Sequence, residues 1–323
     1  MRALVIDNGL HLDKNYPVPT PPRGEALIRV LQAGVCSTDL ELVKGYMNFN
    51  GVPGHEFVGV VEQAVGREEL IGQRVAGEIN AACGQCETCR AQRPTHCPHR
   101  TTLGIDRRNG TFADYTTLPF ENLHPLPVSI SNDQAVFVEP LAAACEILEQ
   151  VQIQPTDRVA VIGDGRLGLL CAQVIALTGC DLIAVGRHAD KLQILQQRGI
   201  RVTTDTLSLE PATLDIVVEA TGTPDGFIAA RQLVCPRGTI MLKSTYQGDA
   251  LPVNLTSIVI DEITLIGSRC GPFDPAIRLL ADHQIEVDAL IQARYSLDDG
   301  LAAFERAAQK GTLKVVVTMA DEK

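Results

Sequence analysis

One stretch decides the fold of half of the chain: Arg158-Val-Ala-Val-Ile-Gly163-Asp-Gly165-Arg-Leu-Gly168-Leu-Leu170. An apolar strand-like run leads into a Gly-x-Gly-x-x-Gly turn, and an apolar helical run follows the turn. In this context Gly163 allows the tight turn, Gly165 lets backbone approach a pyrophosphate, and Gly168 lets the helix pack closely on the strand. The stretch predicts a dinucleotide-binding turn, with Leu167 beside the cofactor, rather than a glycine-rich turn without a ligand.

Strand-like and helical runs alternate around this turn. The strand-like runs are Val159–Ile162, Asp181–Val185, Asp215–Glu219 and Thr239–Lys243. The helical runs are Leu141–Val151, Leu167–Leu177, Asp190–Gln197 and Phe227–Val234. Such alternation is typical of βαβ units in a doubly wound parallel sheet, so a Rossmann domain is predicted over residues 140–266.

The second strand of this series ends in Ala184-Val-Gly186-Arg187-His188. An NAD-binding chain carries Asp or Glu near this point, about 20 residues beyond the glycine turn, whereas an Arg accommodates the 2′-phosphate of NADP. Here the strand tip has a glycine and two potential cations and no carboxylate. The sequence favours NADP(H) over NAD(H), with Arg187 carrying most of the preference and His188 less, unless Arg187 is only a solvated surface charge.

The length and composition of the chain limit the classes of protein to which it can belong. A chain of 323 residues with 45% hydrophobic and 21% charged residues is typical of a globular protein with two domains. Its net charge of −11 argues against nucleic acid or an anionic membrane as the main partner. The N-terminal stretch Met1–Asp7 is too short for a secretory signal, and no apolar run is long enough to cross a membrane. Ten cysteines without such a signal indicate the reducing cytoplasm.

Four of these cysteines fall within fifteen residues, in the pattern C-x2-C-x2-C-x7-C formed by Cys83, Cys86, Cys89 and Cys97. Short C-x2-C steps let a loop fold around one tetrahedral zinc ion. Two disulfides or a redox pair are the alternatives, and the spacing favours zinc. Because four protein ligands leave no open position, the site predicts a structural staple. A nucleic-acid-binding zinc ribbon would need a basic face, which the acidic charge does not favour.

A second set of metal-ligand types lies in the N-terminal part, where short runs such as Ala26–Leu31 and Phe57–Glu62 predict an irregular β domain. Cys36, His55 and Glu139 stand in separate segments of this part. A catalytic zinc needs three protein ligands and one open position, and a thiolate, an imidazole and a carboxylate would supply the three.

With these motifs together, the chain resembles the medium-chain zinc-dependent alcohol and polyol dehydrogenases (the MDR superfamily) over essentially its whole length. The resemblance is carried by motifs that occur in the family's order: G-V-C-S-T-D, G-H-E-F-V-G, the four-cysteine lobe, G-T-F-A-D-Y, E-P-L-A, the glycine turn and E-A-T-G. It implies a GroES-like β-rich catalytic domain of residues 1–139 and 267–323, with a zinc lobe at 83–97. The Rossmann domain would be inserted within it.

The resemblance also implies roles for individual residues. Cys36 and His55 would be ligands of the catalytic zinc, and Glu139 ranks above Glu56 as the third ligand, with that choice left open. Asp39 would accept a hydrogen bond from His55, as carboxylates near metal-bound histidines do. Thr38 would pass the proton.

The position where the family often has a relay histidine is Glu41, so protons would leave through Glu41 or water. Ser244, Ser268 and Arg269 are weaker cofactor candidates, and Tyr46, Met47 and Phe49 are candidates for an apolar substrate wall.

The expected activity is zinc-dependent hydride transfer between NADP(H) and an alcohol, ketone or aldehyde. The alternative within the enzymes is an NAD-preferring polyol or amino-alcohol dehydrogenase of the sorbitol or threonine type. A catalytically silent, zinc-stabilised binding protein is the alternative outside them, and intact Cys36, His55 and Glu139 argue against it. A homodimer or homotetramer is expected.

Overall fold

The computed structural model describes residues 1–246 and 253–319. The chain forms two compact units: Met1–Glu139 with Phe273–Lys323, and Pro140–Pro272. The second unit extends six residues beyond the expected boundary at residue 266, because the backbone N–H of Ser268 still donates to the Leu242 carbonyl at 3.0 Å. No helix in the two described ranges combines the length and apolar character needed to cross a membrane.

The elements are numbered in chain order. The strands are β1 Ala3–Ile6, β2 Leu10–Asp13, β3 Glu25–Gly34, β4 Glu56–Gln63, β5 Arg74–Gly77, β6 Asn80–Ala81, β7 Thr101–Leu103, β8 Arg107–Arg108, β9 Tyr115–Pro119, β10 Leu123–Pro125, β11 Arg158–Ile162, β12 Asp181–Val185, β13 Arg201–Thr203, β14 Leu214–Glu219, β15 Val234–Leu242, β16 Thr264–Gly267, β17 Ile291–Ser296 and β18 Lys314–Thr318. The α-helices are α1 Ser37–Val43, α2 Glu87–Arg90, α3 Asn132–Ala135, α4 Val138–Gln150, α5 Arg166–Ala176, α6 Ala189–Gln196, α7 Pro224–Leu233, α8 Leu255–Ile260, α9 Phe273–Ala281 and α10 Gly300–Ala308.

The second unit is built on a six-stranded parallel sheet in the order β13-β12-β11-β14-β15-β16. This is the strand order of a Rossmann domain, with its switch point between β11 and β14. The strands are apolar runs because both faces of a parallel sheet are covered. Their side chains form a buried core that includes Ala160, Ile162, Val217, Val234 and Ile240. The predicted doubly wound domain is confirmed.

The first unit holds a seven-stranded sheet in the order β10-β5-β4-β3-β18-β17, and β9 also pairs with β3. β18 pairs antiparallel with β3, so the last described strand lies beside the strand that leads to Cys36. A two-stranded sheet of β1 and β2 and a three-stranded sheet of β6, β7 and β8 complete it. The predicted irregular β domain is therefore present, with its two sequence segments joined in one sheet.

Local signals start the helices that frame the sites. α1 begins immediately after Cys36, whose backbone N–H donates to the Asp39 carboxylate at 2.8 Å and closes the first turn. α7 begins after Thr223, whose hydroxyl accepts from the Gly226 N–H, and Pro224 stands at its first position. Both devices satisfy N–H groups that a helix start would otherwise leave unpaired.

Candidate active site

Three metal-ligand side chains meet in the first unit. The ligand atoms of Cys36, His55 and Glu56 all lie within 4.8 Å of one another. Cys36 precedes α1, His55 precedes β4, and Glu56 is the first residue of β4. A thiolate, an imidazole and a carboxylate are the donor types of a catalytic zinc site, so the residues present fit that ion.

Asp39 ties the two ligand loops together. Its Oδ2 accepts the N–H of Cys36 at 2.8 Å, and its Oδ1 accepts the N–H of Gly54, next to His55, at 3.1 Å. The same Oδ1 is 3.2 Å from Nδ1 of His55, although this contact does not have hydrogen-bond geometry. Burial lowers the pKa of His55, but Asp39 and Cys36 more than offset it and leave that pKa well above the usual value. Asp39 therefore acts on His55 mainly through charge and position.

Glu56 is held by a cation that sequence inspection missed. The ammonium group of Lys314, at the start of β18, donates to Oε2 of Glu56, and both side chains are almost completely buried. The Lys314 ammonium also lies 5.5 Å from the centre of the Phe137 ring. A Cβ atom at Gly34 would come within 2.8 Å of the Glu56 carboxylate, so the glycine gives the pair its room.

Glu139 lies in the first turn of α4, close to the same cluster. Loss of hydration raises the pKa of Glu139 to about 7, while His55 lowers it and Glu56 raises it further. Among the described residues, the set of mutually close ligand atoms contains Glu56 and not Glu139. The structure thus brings Glu56 nearer to Cys36 and His55, but gives Glu56 a buried partner of its own.

Thr38 stands beside the cluster, and Glu41 is a partly buried residue of α1. The Thr38 hydroxyl is 3.9 Å from the Cys36 sulfur, within reach of anything bound at the thiolate. Glu41 accepts from Lys44 at 2.8 Å in an exposed pair. Tyr46 and Met47 are about half exposed, at 49% and 52%.

The four-cysteine lobe has the geometry of a zinc site. Sulfur–sulfur separations are 3.5 Å between Cys86 and Cys89, 3.7 Å between Cys86 and Cys97, and 3.6 Å between Cys97 and Cys83. Four sulfurs at about 2.3 Å from a tetrahedral ion lie about 3.8 Å apart, whereas a disulfide needs about 2.05 Å. The backbone N–H groups of Cys83 and His99 lower the pKa of Cys97 to about 6, against the effect of burial, which favours a thiolate ligand.

The glycine turn has the shape expected for a pyrophosphate cradle. Gly163 has a φ of +126°, and a Cβ at Gly168 would be 2.0 Å from the Gly163 carbonyl oxygen. A Cβ at Gly165 would meet no atom within 4 Å, so the backbone there faces open space. Leu167 follows in the first turn of α5. These features fit a nicotinamide dinucleotide, whose phosphates rest on helix N–H groups.

The segment at the tip of β12 contains no carboxylate of its own, but a carboxylate from the glycine turn reaches this tip. Oδ2 of Asp164, from the glycine turn, accepts the backbone N–H groups of Arg187 and His188 at 2.6 Å each. It also lies 2.9 Å from Nδ1 of His188. Burial alone would raise the pKa of Asp164, but the His188 and Arg187 donors outweigh it and lower the pKa. A Cβ at Gly186 would lie 2.6 Å from this carboxylate, so a larger residue at position 186 would clash with Asp164.

Arg187 extends away from this contact. Its side chain is 72% exposed, and its guanidinium is 3.5 Å from the exposed carboxylate of Asp225. An exposed pair at this distance contributes little to stability, so the guanidinium can turn toward an anion at the strand tip.

Ser244, Ser268 and Arg269 follow the carboxyl ends of β15 and β16, at the edge of the sheet where the glycine turn lies. Lys243 joins the two strand ends, because its ammonium donates to the Ser268 hydroxyl at 2.8 Å and to the Arg269 carbonyl at 3.0 Å. Ligands of open parallel sheets bind at this edge. Lys243 is only 6% exposed, and its burial between the two strand ends is a feature that the sequence alone does not reveal.

Comparison with known proteins agrees with this architecture. The family profile described as the alcohol dehydrogenase GroES-like domain matches residues 22–128, and the profile described as the glucose dehydrogenase C-terminus matches residues 132–319. The chain is 29% identical over 322 residues to D-arabitol-phosphate dehydrogenase of Enterococcus avium, an alignment that covers 93% of this chain and 91% of that protein. It is 28% identical over 344 residues to sorbitol dehydrogenase of Halalkalibacterium halodurans, covering 99% and 100%.

A solved structure shares the fold over 98% of this chain. It is that of a protein designated a zinc-binding dehydrogenase, from Sinorhizobium meliloti 1021, bound to NADP. The TM-score is 0.89 at 28% identity, and the match covers 98% of this chain and 99% of that one. The expected GroES-like and Rossmann domains are thereby confirmed, and the chain belongs to the medium-chain zinc-dependent alcohol and polyol dehydrogenases, which are oxidoreductases of alcohols.

Proposed function

We propose that this protein is a zinc-dependent oxidoreductase that transfers a hydride between NADP(H) and an alcohol, ketone or aldehyde. The observation that carries the proposal is the convergence of Cys36, His55 and a carboxylate from separate segments. The dinucleotide turn of the second unit supplies the complementary half of the chemistry, because the nicotinamide carries the hydride.

In this proposal Cys36, His55 and Glu139 would hold the catalytic zinc, and the bound ion would supply Lewis acidity toward the substrate oxygen. Glu139 remains the preferred third ligand because Glu56 already has Lys314 as a buried counter-charge. Glu56 is the alternative, since its carboxylate lies in the close cluster. Asp39 is a positioning residue that fixes the loops carrying Cys36 and His55.

Thr38 takes the substrate proton in this scheme. Its hydroxyl lies beside the Cys36 sulfur, and a hydroxyl can accept one proton while it donates its own. From there the proton leaves through water or Glu41. The Glu41 side chain is 24% exposed, and its carboxylate accepts from the ammonium group of Lys44 at 2.8 Å.

The dinucleotide half is assigned to the second unit. Gly163, Gly165, Leu167 and Gly168 would cradle the pyrophosphate at the start of α5. Gly186, Arg187 and His188 would face the adenosine ribose, with the exposed guanidinium of Arg187 favouring a 2′-phosphate. Ser244, Ser268 and Arg269, at the ends of β15 and β16, are candidates for contacts with the rest of the cofactor.

The cysteine lobe would hold a second zinc with a structural role. Its four sulfurs have the separations of a tetrahedral site, and four ligands leave no position for substrate. With the candidate catalytic cluster, this lobe would give two zinc ions per chain. The lobe has few regular elements, which suits a loop held by an ion rather than by a core.

A polyol is the substrate class that the relatives suggest, because the two curated relatives described above are dehydrogenases of sorbitol and of arabitol phosphate. Tyr46, Met47 and Phe49 would supply an apolar wall beside the reacting carbon. Tyr46 and Met47 are exposed and therefore available for this contact.

A second candidate function, an NAD-preferring polyol or amino-alcohol dehydrogenase, is favoured by one observation. The Asp164 carboxylate at the tip of β12 stands where an NAD-binding chain has its acid. Comparing kcat/KM with NADP and NAD separates the two candidates. A clear preference for NAD would remove the role given to Arg187.

The proposed assembly is a homodimer or homotetramer in the cytoplasm. β16 is an edge strand, and Leu255, Val259 and Ile260 of α8 are 68%, 75% and 73% exposed. An edge strand and apolar side chains on one unit are features of a surface that a second copy covers. Within the described residues no two cysteines form a disulfide, which agrees with a reducing compartment. Light scattering of Val259→Lys and wild type tests whether this surface joins the copies.

A substrate screen tests the activity directly. Zinc-loaded protein is mixed with NADPH and a panel of ketoses, aldehydes and ketones, and loss of NADPH absorbance is followed. Turnover together with two zincs per chain supports the proposal. One zinc per chain and no turnover on any carbonyl or alcohol would favour a catalytically silent relative.

A further inference from the structure

We propose that Asp164 is a specificity-determining residue that opposes the 2′-phosphate of NADP and accepts the 2′-hydroxyl of NAD. This inference rests on the proposed use of a nicotinamide dinucleotide by the second unit. In an NAD-binding chain, an acid at the end of the second strand accepts the ribose 2′-hydroxyl. Here we assign that role to an acid of the glycine turn.

The first support is the hydrogen bonding at the tip of β12. The backbone N–H groups of Arg187 and His188 are consecutive, and both donate to Oδ2 of Asp164 at 2.6 Å. The His188 ring adds a third contact at 2.9 Å. Consecutive N–H groups form a concave site for an anion, and here the chain's own carboxylate fills it.

The second support is the space at Gly186. A Cβ atom there would lie 2.6 Å from both Cβ and Oδ2 of Asp164, so no larger residue fits while Asp164 keeps its place. An acid at position 186 and an acid at position 164 therefore exclude each other. The carboxylate of Asp164 takes up the volume in which a strand-tip acid would lie.

The third support is charge. Asp164 is only 9% exposed, so its charge is weakly screened. A carboxylate that faces a phosphate at short range raises the free energy of the complex, whereas a ribose hydroxyl can donate to it. Arg187 acts in the opposite direction, with a guanidinium that is 72% exposed. The preference of the wild type for NADP or NAD then depends on the balance between attraction of the 2′-phosphate by Arg187 and its repulsion by Asp164.

The test is a binding titration of the zinc-loaded full chain with NADPH and with NADH, followed by nucleotide fluorescence and calorimetry, with no substrate present. Asp164→Asn keeps the shape and an acceptor oxygen but removes the charge. We expect its Kd for NADPH to fall about tenfold or more and its Kd for NADH to rise, so that the two affinities move in opposite directions.

Asp181→Asn is the matched control, because Asp181 is an exposed acid at the opposite end of β12, paired with Arg201. It removes the same charge from the unit and should leave the ratio of the two affinities unchanged. If Asp164→Asn unfolds at assay temperature, Asp164→Ala is measured in its place, and thermal unfolding is recorded for each variant.

Two results would overturn the inference: an equal loss of both affinities, which assigns Asp164 to loop structure alone, or a lower preference for NADPH in Asp164→Asn. If the wild type binds NADH better than NADPH, the proposed cofactor preference is wrong. The change in the ratio of the two affinities in Asp164→Asn still tests the role of Asp164. Wild-type protein that binds neither dinucleotide overturns the proposed function and this inference together.

Discussion

The ammonium group of Lys314 donates a hydrogen bond to the carboxylate of Glu56 across 258 residues of sequence. The two side chains are 1% and 3% exposed, and they belong to β18 and β4, which flank β3 in the same sheet. A buried charge that loses its partner is costly, whereas a pair replaced together by uncharged groups need not be. The pair therefore links the fold of the first unit to a residue of the candidate metal cluster.

Lys314→Met should destabilise the protein by about 3–5 kcal/mol, because Glu56 would stay buried without a counter-charge. Adding Glu56→Gln should recover much of that loss. Urea unfolding of the zinc-loaded protein measures both. Lys44→Met, which removes a lysine from an exposed pair with Glu41, is the control and should change stability by less than about 1 kcal/mol. Equal effects of the two lysine changes would show that the buried pair is not important for stability.

Metal content tests which carboxylate is the third ligand. Glu139→Gln should lose activity and one of the two zinc ions while the protein stays folded, because an amide is a weaker ligand than a carboxylate. The double variant Glu56→Gln/Lys314→Met removes the other carboxylate together with its partner and should keep both ions. Zinc per chain is measured by elemental analysis after dialysis. The opposite pattern would make Glu56 the ligand.

Substitutions at two glycines of the turn distinguish an effect on folding from an effect on cofactor binding. Gly168→Ala should cost about 1–3 kcal/mol of stability, since its Cβ would lie 2.0 Å from the Gly163 carbonyl oxygen. Gly165→Ala should fold normally, because φ is −77° and no atom lies within 4 Å, but a methyl group there should block the approach of a pyrophosphate. Thermal unfolding and NADPH titration are compared for both. A Gly165→Ala variant with wild-type NADPH affinity would place the cofactor elsewhere.

Arg187→Ala should raise KM for NADP about tenfold or more while changing KM for NAD little, because only NADP carries the 2′-phosphate that the guanidinium would meet. Arg237→Ala, an exposed arginine of the same unit, is the control. Steady-state kinetics with both cofactors measure the effect. Equal changes in the two KM values would mean that Arg187 is an ordinary surface charge.

Cys89→Ser should act on stability before it acts on turnover. The variant should hold one zinc per chain and unfold at a lower temperature, because three thiolates bind the ion more weakly than four. Cys180→Ser, a thiol outside both clusters, is the control. Calorimetry and elemental analysis follow the two variants. A fall in kcat with unchanged unfolding temperature would show that the lobe has another role.

Local patterns were enough to predict the central strands and the main helices of the second unit. The predicted runs Val159–Ile162 and Asp181–Val185 agree closely with β11 and β12, because apolar strands and the glycine turn are signals that a short window contains. The cysteine lobe is equally local, and its four sulfurs meet as the spacing indicates. The order of the motifs was enough to identify the family.

Contacts made across long stretches of sequence were not predictable. Asp164 appeared only as the variable residue between two glycines, and its carboxylate reaches Arg187 and His188 because the turn folds back over β12. Lys314 is a charged residue at the start of an apolar strand, and its partner Glu56 is evident only because β4 and β18 flank β3 in one sheet. In both cases the missing information was which backbone segments lie side by side.

Asp39 fixes the spacing of Cys36 and His55 independently of the third ligand. Because one carboxylate fastens the loop of Cys36 to the loop of His55, the distance between sulfur and imidazole is fixed by the protein's own hydrogen bonds. The remaining donor can then be exchanged in evolution, oxygen for sulfur or one glutamate for another, without rebuilding the frame. The separation of the Cys36 sulfur and the His55 ring therefore does not depend on which residue supplies the third donor.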